Sequence, residues 1–319
     1  MQTFLNDRMD LEGFDINDFS DDLVRAWKYE KSYKYKCCCP ECDEDAIKSH
    51  LLQQHPLLAS ICDERNCLLQ MADNDIDPRS GNWDFYNKRK VGISNALQYK
   101  LFCKRHDDSL FKEIENRNSI PNSKRDCLLL AFRSACATRH REERRLHIYE
   151  SQKKSTGLEN QMLDISRIFI QRMDGVVNNL WTAINGEGDN YYLFRLIAMP
   201  RIKLAVSDCM VDEADFVAHG LDDRYTEPLN SLFINLIPLE DKSFLLLGCD
   251  KRYDKNGNFK KIIEKFPTGG ISNDDFLKTI KGVLLKCSNW CCSPQLYEDD
   301  SWKEFFDEYE SLKVASQIN

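Results

Sequence analysis

Apolar positions recur at two different periods along this chain, and the change between them divides it. Between residues 124 and 184 they fall three and four apart. Leu128, Leu129, Phe132 and Cys136 form one set, and Met162, Ile165, Ile168, Phe169, Met173, Val176 and Leu180 form another. Such spacing collects side chains on one face of an α-helix. It predicts two long helices joined by the short KSTG link and folded back as an antiparallel hairpin. Beyond NGEGDN the period shortens: YYLFRLIAM, IKLAVSDCM, SLFINLIPL and SFLLLGC are brief apolar runs rich in β-forming residues. They predict four strands, with LEDKS as the turn between the last two. DDFLKTIKGVLLKC and SWKEFFDEYESLK return to the helical period and predict amphipathic helices near the end of the chain.

The first third is less regular. LVRAWKYEKSYKYK carries Leu23, Ala26 and Trp27 at helical spacing and runs directly into a group of cysteines. AIKSHLLQQHPLLASICDERNCLL predicts a short strand or loop ending at His50 and a helix started or broken near Pro56. MADNDIDPRSGNWDFYNKRKVG is polar and turn-rich, which predicts a long surface insertion before order returns in ISNALQYKLFCKRHDDSLFKEIEN. RHREERR alternates in charge and predicts a solvent-facing helix surface in preference to a phosphate-binding one. The fold class expected is α+β, with a small zinc-bound N-terminal head over residues 1–118. Residues 119–319 would hold a long helical hairpin and a mixed or antiparallel sheet with flanking helices.

Composition adds a compartment and, through it, a chemistry. No apolar run approaches the roughly 18 to 20 residues that span a bilayer, and the mean hydropathy is −0.54. The opening MQTFLNDRMDLEGFDINDFSDD is broken throughout by acidic residues and holds no signal-peptide core. The expectation is a cytoplasmic protein without a membrane partner. In a reducing compartment, 14 cysteines are thiols, and those that cluster are metal ligands before they are disulfides. Cys39 and Cys42 in CPEC form a C-x2-C turn, and Cys103 and His106 in CKRH form a second pair at the same spacing. Two such turns can each deliver two ligands to one tetrahedral ion, so Cys39, Cys42, Cys103 and His106 are the expected ligands of a structural zinc. Cys37 and Cys38 remain open as alternatives to Cys39, since Cys38 and Cys42 also stand at an allowed spacing. Cys127 and Cys136 lie on apolar stretches, and Cys287, Cys291 and Cys292 have no histidine near them, so core packing is expected for all five. The formal charge of −8 weighs against a whole-surface nucleic-acid binder while leaving room for a local basic face.

Taken together, CPEC, AIKSHLL and LFCKRHDDSLFKEIE resemble the start of a group of bacterial proteins of mostly unassigned function. These carry C-x2-C, I-x-S-H and a later F-C-x2-H-D-x2-L-F-x2-I-E. Such heads are similar in layout to the zinc-bound ββα-metal, or HNH, nuclease core, and the likeness covers residues 37–115. It implies that His50 is a general base acting on water, that Asn95 is the middle residue orienting the site, and that Asp107 binds a catalytic Mg²⁺. A typical core has C-x2-C-H; in this chain His106 stands as fourth ligand and Asp107 follows it. The function implied is a metal-dependent endonuclease acting in bacterial anti-phage defence, with nucleic acid as substrate and a companion defence protein as partner. The alternative is a non-catalytic, zinc-stabilised module that binds protein or nucleic acid, in which Ser49 and His50 only hydrogen-bond within the head.

Overall fold

A computed structural model of the chain describes residue 28 and residues 32–73, 86–117, 120–150, 157–219, 225–266 and 273–318. The helical spacing at Leu23 to Trp27, the tip of the polar insertion at residues 74–85 and most of the KSTG link lie outside them. Strand β1 (Ile47–His50) pairs antiparallel with β4 (Gln98–Phe102), Ser49 facing Tyr99 and His50 facing Gln98, and helix α1 (Lys104–Glu115) follows β4 directly. A short helical segment, Gln54–Leu58 and Ala59–Ile61, leaves β1. Next come β2 (Cys67–Asp73) and β3 (Tyr86–Gly92), which pair antiparallel along their whole length. The expected surface insertion is therefore a hairpin at both flanks. The polar run YNKRKVG, which gives no apolar alternation, is the edge strand of the sheet.

Two long helices come next, α2 (Lys124–Glu150) and α3 (Gly157–Ile184), packed against each other as the apolar period predicts. The start of α2 is fixed by a reciprocal cap: the Asp126 N–H donates to Ser123 Oγ (3.1 Å), and the Ser123 N–H to Asp126 Oδ2 (3.2 Å). Arg117, just past α1, adds a two-pronged bond to the same carboxylate at 2.9 Å on each arm. The rest of the chain gives β5 (Tyr192–Pro200), β6 (Leu204–Val211), α4 (Glu213–His219), β7 (Ser231–Pro238) and β8 (Lys242–Asp250). It closes with α5 (Asn258–Lys265), α6 (Asn273–Leu284), β9 (Trp290–Cys292) and α7 (Asp300–Ile318).

Among the described residues, seven strands form one antiparallel sheet in the order β3-β2-β9-β6-β7-β8-β5. The two-residue period of each strand divides its side chains between two cores. Ala205, Cys209, Phe233, Ile237, Leu246 and Cys291 face α2, α3 and the head. Leu204, Val206, Leu232, Ile234, Leu245 and Trp290 face α5, α6 and α7. The result is a three-layer α+β body, and Cys136, Cys287, Cys291 and Cys292 are buried in it as packing residues. No helix of the described residues is long and apolar enough to cross a membrane.

The charged run of α2 is not the open surface its sequence suggests. Arg139 is paired with Asp174 of α3 and with Glu143 (2.9 Å), Arg145 with Glu142 (3.0 Å), and His140 is buried. Alternating charge here reflects ion pairing on a partly buried face.

Gly248 of β8 lies opposite Phe194 of β5, and a Cβ there would fall inside the space of the Phe194 ring. Replacing a strand glycine by alanine ordinarily stabilises by cutting unfolded-state entropy, but overpacking costs more. Gly248→Ala should lower unfolding free energy by about 1–3 kcal/mol, measured by urea denaturation, whereas equal or higher stability would show that β5 yields freely.

Candidate metal centre

The cysteine-rich loop is shaped by its backbone bonds. Lys36 and Asp45 form an isolated antiparallel bridge, the Cys37 N–H donates to Glu44 O (2.9 Å), and the Cys38 N–H donates to Leu101 O (2.7 Å). Extended chain sends consecutive side chains to opposite sides. Cys37 accordingly turns toward α1, while Cys38 meets Cys136 of α2. The chain then reverses through Cys39, Pro40 and Glu41, with the Cys42 N–H returning to Cys39 O (3.2 Å) and Glu41 at φ 64°. On the other side, Cys103 stands just before α1 and His106 lies in its first turn. A separation of three residues puts both on one helix face.

Four ligand-type atoms meet there. Cys37, Cys42, Cys103 and His106 have one ligand atom each, and all four lie within 4.8 Å of one another. Cys42 Sγ is 3.9 Å from Cys103 Sγ; His106 Nδ1 is 3.3 Å from Cys37 Sγ and 3.4 Å from Cys103 Sγ. A tetrahedron with metal–sulfur bonds of about 2.3 Å has edges of about 3.8 Å, so the donor set has the size and the chemistry to hold a metal such as zinc. Cys37 and Cys103 are buried, Cys42 is partly exposed, and Trp181 of α3 stands edge-on to His106 at 6.3 Å. Among the described residues this is the group of three or more His, Cys, Asp or Glu side chains that converges on one point.

The converging thiol is Cys37, where the C-x2-C spacing pointed to Cys39. Cys39 is also buried and hydrogen-bonds to Cys37 from outside the four. That bond draws the Cys37 thiol well below its ordinary range and pushes Cys39 above its own. Burial pushes the Cys103 thiol up to about 12.

His50 ends β1, half-buried, with Nε2 3.2 Å from Ser94 O. Burial holds its pKa below the ordinary value, and the charge of Arg133 adds to that effect. Asn95 follows Ser94 in the turn before β4; it is exposed, and its N–H donates to Gly92 O (2.9 Å). Asp107 lies in the first turn of α1, half-buried and beside the Ser49 hydroxyl of β1; burial raises its pKa, and Arg133 and the Ser49 hydroxyl act against that rise. The β1–β4 pair and α1 thus bring His50 beside the turn holding Asn95, and Asp107 within electrostatic reach of His50. Arg133 of α2, buried at 1 % exposure, acts on both. Its Nη2 donates to Glu115 (2.8 Å) and its guanidinium lies 3.6 Å from the Phe111 ring centre. The sequence carried a sign of it, a lone arginine inside LLLAFRSAC.

No known family, curated protein or solved structure matches the chain.

Elemental analysis of the purified chain should find about one metal ion per chain, with Cys37→Ser or Cys103→Ser losing it and Cys39→Ser keeping it. Loss on Cys39→Ser with retention on Cys37→Ser would reverse the ligand assignment.

Proposed function

We propose that the head is a zinc-structured, HNH-like unit that hydrolyses phosphodiester bonds in nucleic acid. The observation that carries this reading is the antiparallel pair of β1 and β4, joined across the inserted residues 51–97 and running into α1, with His50 at the end of β1 and Asp107 in the first turn of α1. The Cys37, Cys42, Cys103 and His106 group brackets the same unit. That is the order of parts in the ββα-metal layout the sequence resembles. Zinc suits three thiolates and an imidazole in a tetrahedron and has no redox chemistry of its own, so its role is to hold the loop of residues 37–42 against α1.

His50 is the base in this account. Its lowered pKa keeps the imidazole neutral near neutral pH, as a group that takes a proton from water must be. Asn95, exposed in the adjoining turn, orients the substrate or the base. Asp107 offers a half-buried carboxylate beside the Ser49 hydroxyl, a hard oxygen ligand that would suit a cation such as Mg²⁺; when bound, the ion would neutralise phosphate charge. In this reading the activity belongs to bacterial anti-phage defence, alongside a companion protein. A second reading, a non-catalytic binding module, is favoured by the His50 Nε2 bond to Ser94 O and by the net charge of −8, which repels a polyanion.

His50→Ala separates the two. Under the nuclease reading it lowers DNA or RNA cleavage by about two to four orders of magnitude while bound zinc and thermal stability stay unchanged. In the wild type the acid limb of the rate profile lies below the ordinary histidine value of 6.5, because a depressed pKa keeps the base unprotonated to lower pH. A folded His50→Ala chain with undiminished cleavage would remove His50 from the mechanism. A wild-type chain that binds nucleic acid without cutting it would leave the binding reading in place.

A further inference from the structure

The seven-stranded sheet ends on two strands of opposite character. β3 carries Lys88, Arg89 and Lys90 in succession, and charge along an edge keeps other strands from adding to it. β5 has none of the usual guards. It reads YLFRLIAMP and pairs with β8 at every residue, without a bulge. Its single charged residue, Arg195, donates to the carbonyls at the end of α5, Ile263 O (3.0 Å), Glu264 O (3.2 Å) and Phe266 O, and so stands away from the free edge. The Phe194 ring leans inward as well, over Gly248 of β8. Among the described residues, no backbone group other than those of β8 bonds to residues 193–200, and Leu196, Ala198 and Pro200 are exposed.

We propose that β5 is the seam of a homodimer, in which two copies of the chain join edge to edge, antiparallel about a two-fold axis at Leu196, into one continuous sheet. Main-chain hydrogen bonds along a free edge supply the attraction, and alternate side chains supply the fit. A contact between identical strands related by a two-fold axis is isologous and closes at two copies. The inference goes beyond the nuclease reading, which one chain satisfies alone, and does not depend on it.

A second copy is the occupant because the strand complements itself when reversed. The register of full overlap sets Leu196 against the partner's Leu196, Phe194 against the partner's Ala198, and Arg195 against the partner's Ile197. An aromatic ring meets a small residue, aliphatic meets aliphatic, and no like charges stand opposite, as a stable cross-strand pair requires. The flanks complement one another too. Exposed Glu187 and Asp189, the latter beside Lys124, precede β5, while Arg201 and Lys203 follow it. Reversal about the axis turns the acidic flank of one copy toward the basic flank of the other. A parallel, in-register pair would set each flank against its own kind and Arg195 against Arg195. Leu196 belongs to neither core, so it can be changed without disturbing the fold.

Sedimentation velocity on the full-length chain, over roughly a hundredfold range of concentration, should show a dimer in reversible equilibrium with monomer. Leu196→Lys and Leu196→Glu each place like charges at the axis and should weaken association about ten- to hundredfold, with thermal unfolding of the dilute monomer unchanged. Mixing the two variants in equal amounts should restore the dimer, because the axis then holds one lysine opposite one glutamate. That rescue depends on Leu196 meeting itself and would not follow from damage to the fold. A wild-type chain that is monomeric throughout, variants that dimerise as well as the wild type, a mixture that stays monomeric, or assembly beyond two copies would each overturn the proposal.

Discussion

Helix α2 is covered on every side along residues 128–138, and the rest of the molecule is arranged by that burial. A helix that is apolar all round must be surrounded, and here β6 and β7 take one side, α3 another, and β4 with α1 a third. Each Leu or Phe so buried contributes about 1.5–3 kcal/mol. Polar residues inside the belt fix which way the helix is turned, because each needs a partner. Ser134 Oγ lies 3.0 Å from Ser207 Oγ and donates to Leu130 O, and Thr138 Oγ1 donates to Cys209 O at 3.3 Å. One helix thereby fixes the register of the central strands and the position of the head.

The consequence for the site is that its parts arrive from different directions. Phe102 and Phe111 of the head pack with Phe132 of α2, which seats β4 and α1; Cys103 and His106 are placed by that packing before any ion is considered. The loop of residues 37–42 has less to hold it. It contributes a few backbone bonds and the burial of Tyr35, Cys37 and Cys39. A metal ion such as zinc joining its two cysteines to Cys103 and His106 would offset the chain entropy of that loop, since metal binding to a site absent from the unfolded chain adds directly to folding free energy. The same packing brings Arg133 from α2 to the back of His50 and Asp107, so the body takes part in the electrostatics of the head.

Much of this was legible in the sequence. Periods of three to four and of two marked α2, α3, β5, β6, β7 and β8, because these elements are buried on defined faces and their side chains must alternate accordingly. The ligand pairs were legible as C-x2-C and C-x2-H spacings, and Cys42, Cys103 and His106 stand in the group as expected. Cys37 was not preferred, because spacing reports only which residues share a turn. The direction each side chain takes is set by the bridge between Lys36 and Asp45, a contact nine residues apart that leaves no pattern. The β2–β3 hairpin was hidden for a related reason. It joins the body sheet through two residue pairs with β9, Leu69 with Cys292 and Gln70 with Cys291, more than two hundred residues away in sequence.

The account turns on a zinc ion held by Cys37, Cys42, Cys103 and His106, and zinc K-edge X-ray absorption on the purified chain examines that set of atoms directly. The account predicts a four-coordinate ion with three sulfurs at about 2.3 Å and one imidazole nitrogen at about 2.0–2.1 Å. A shell of four sulfurs, with Cys39 in place of His106, or a shell dominated by oxygen would contradict it.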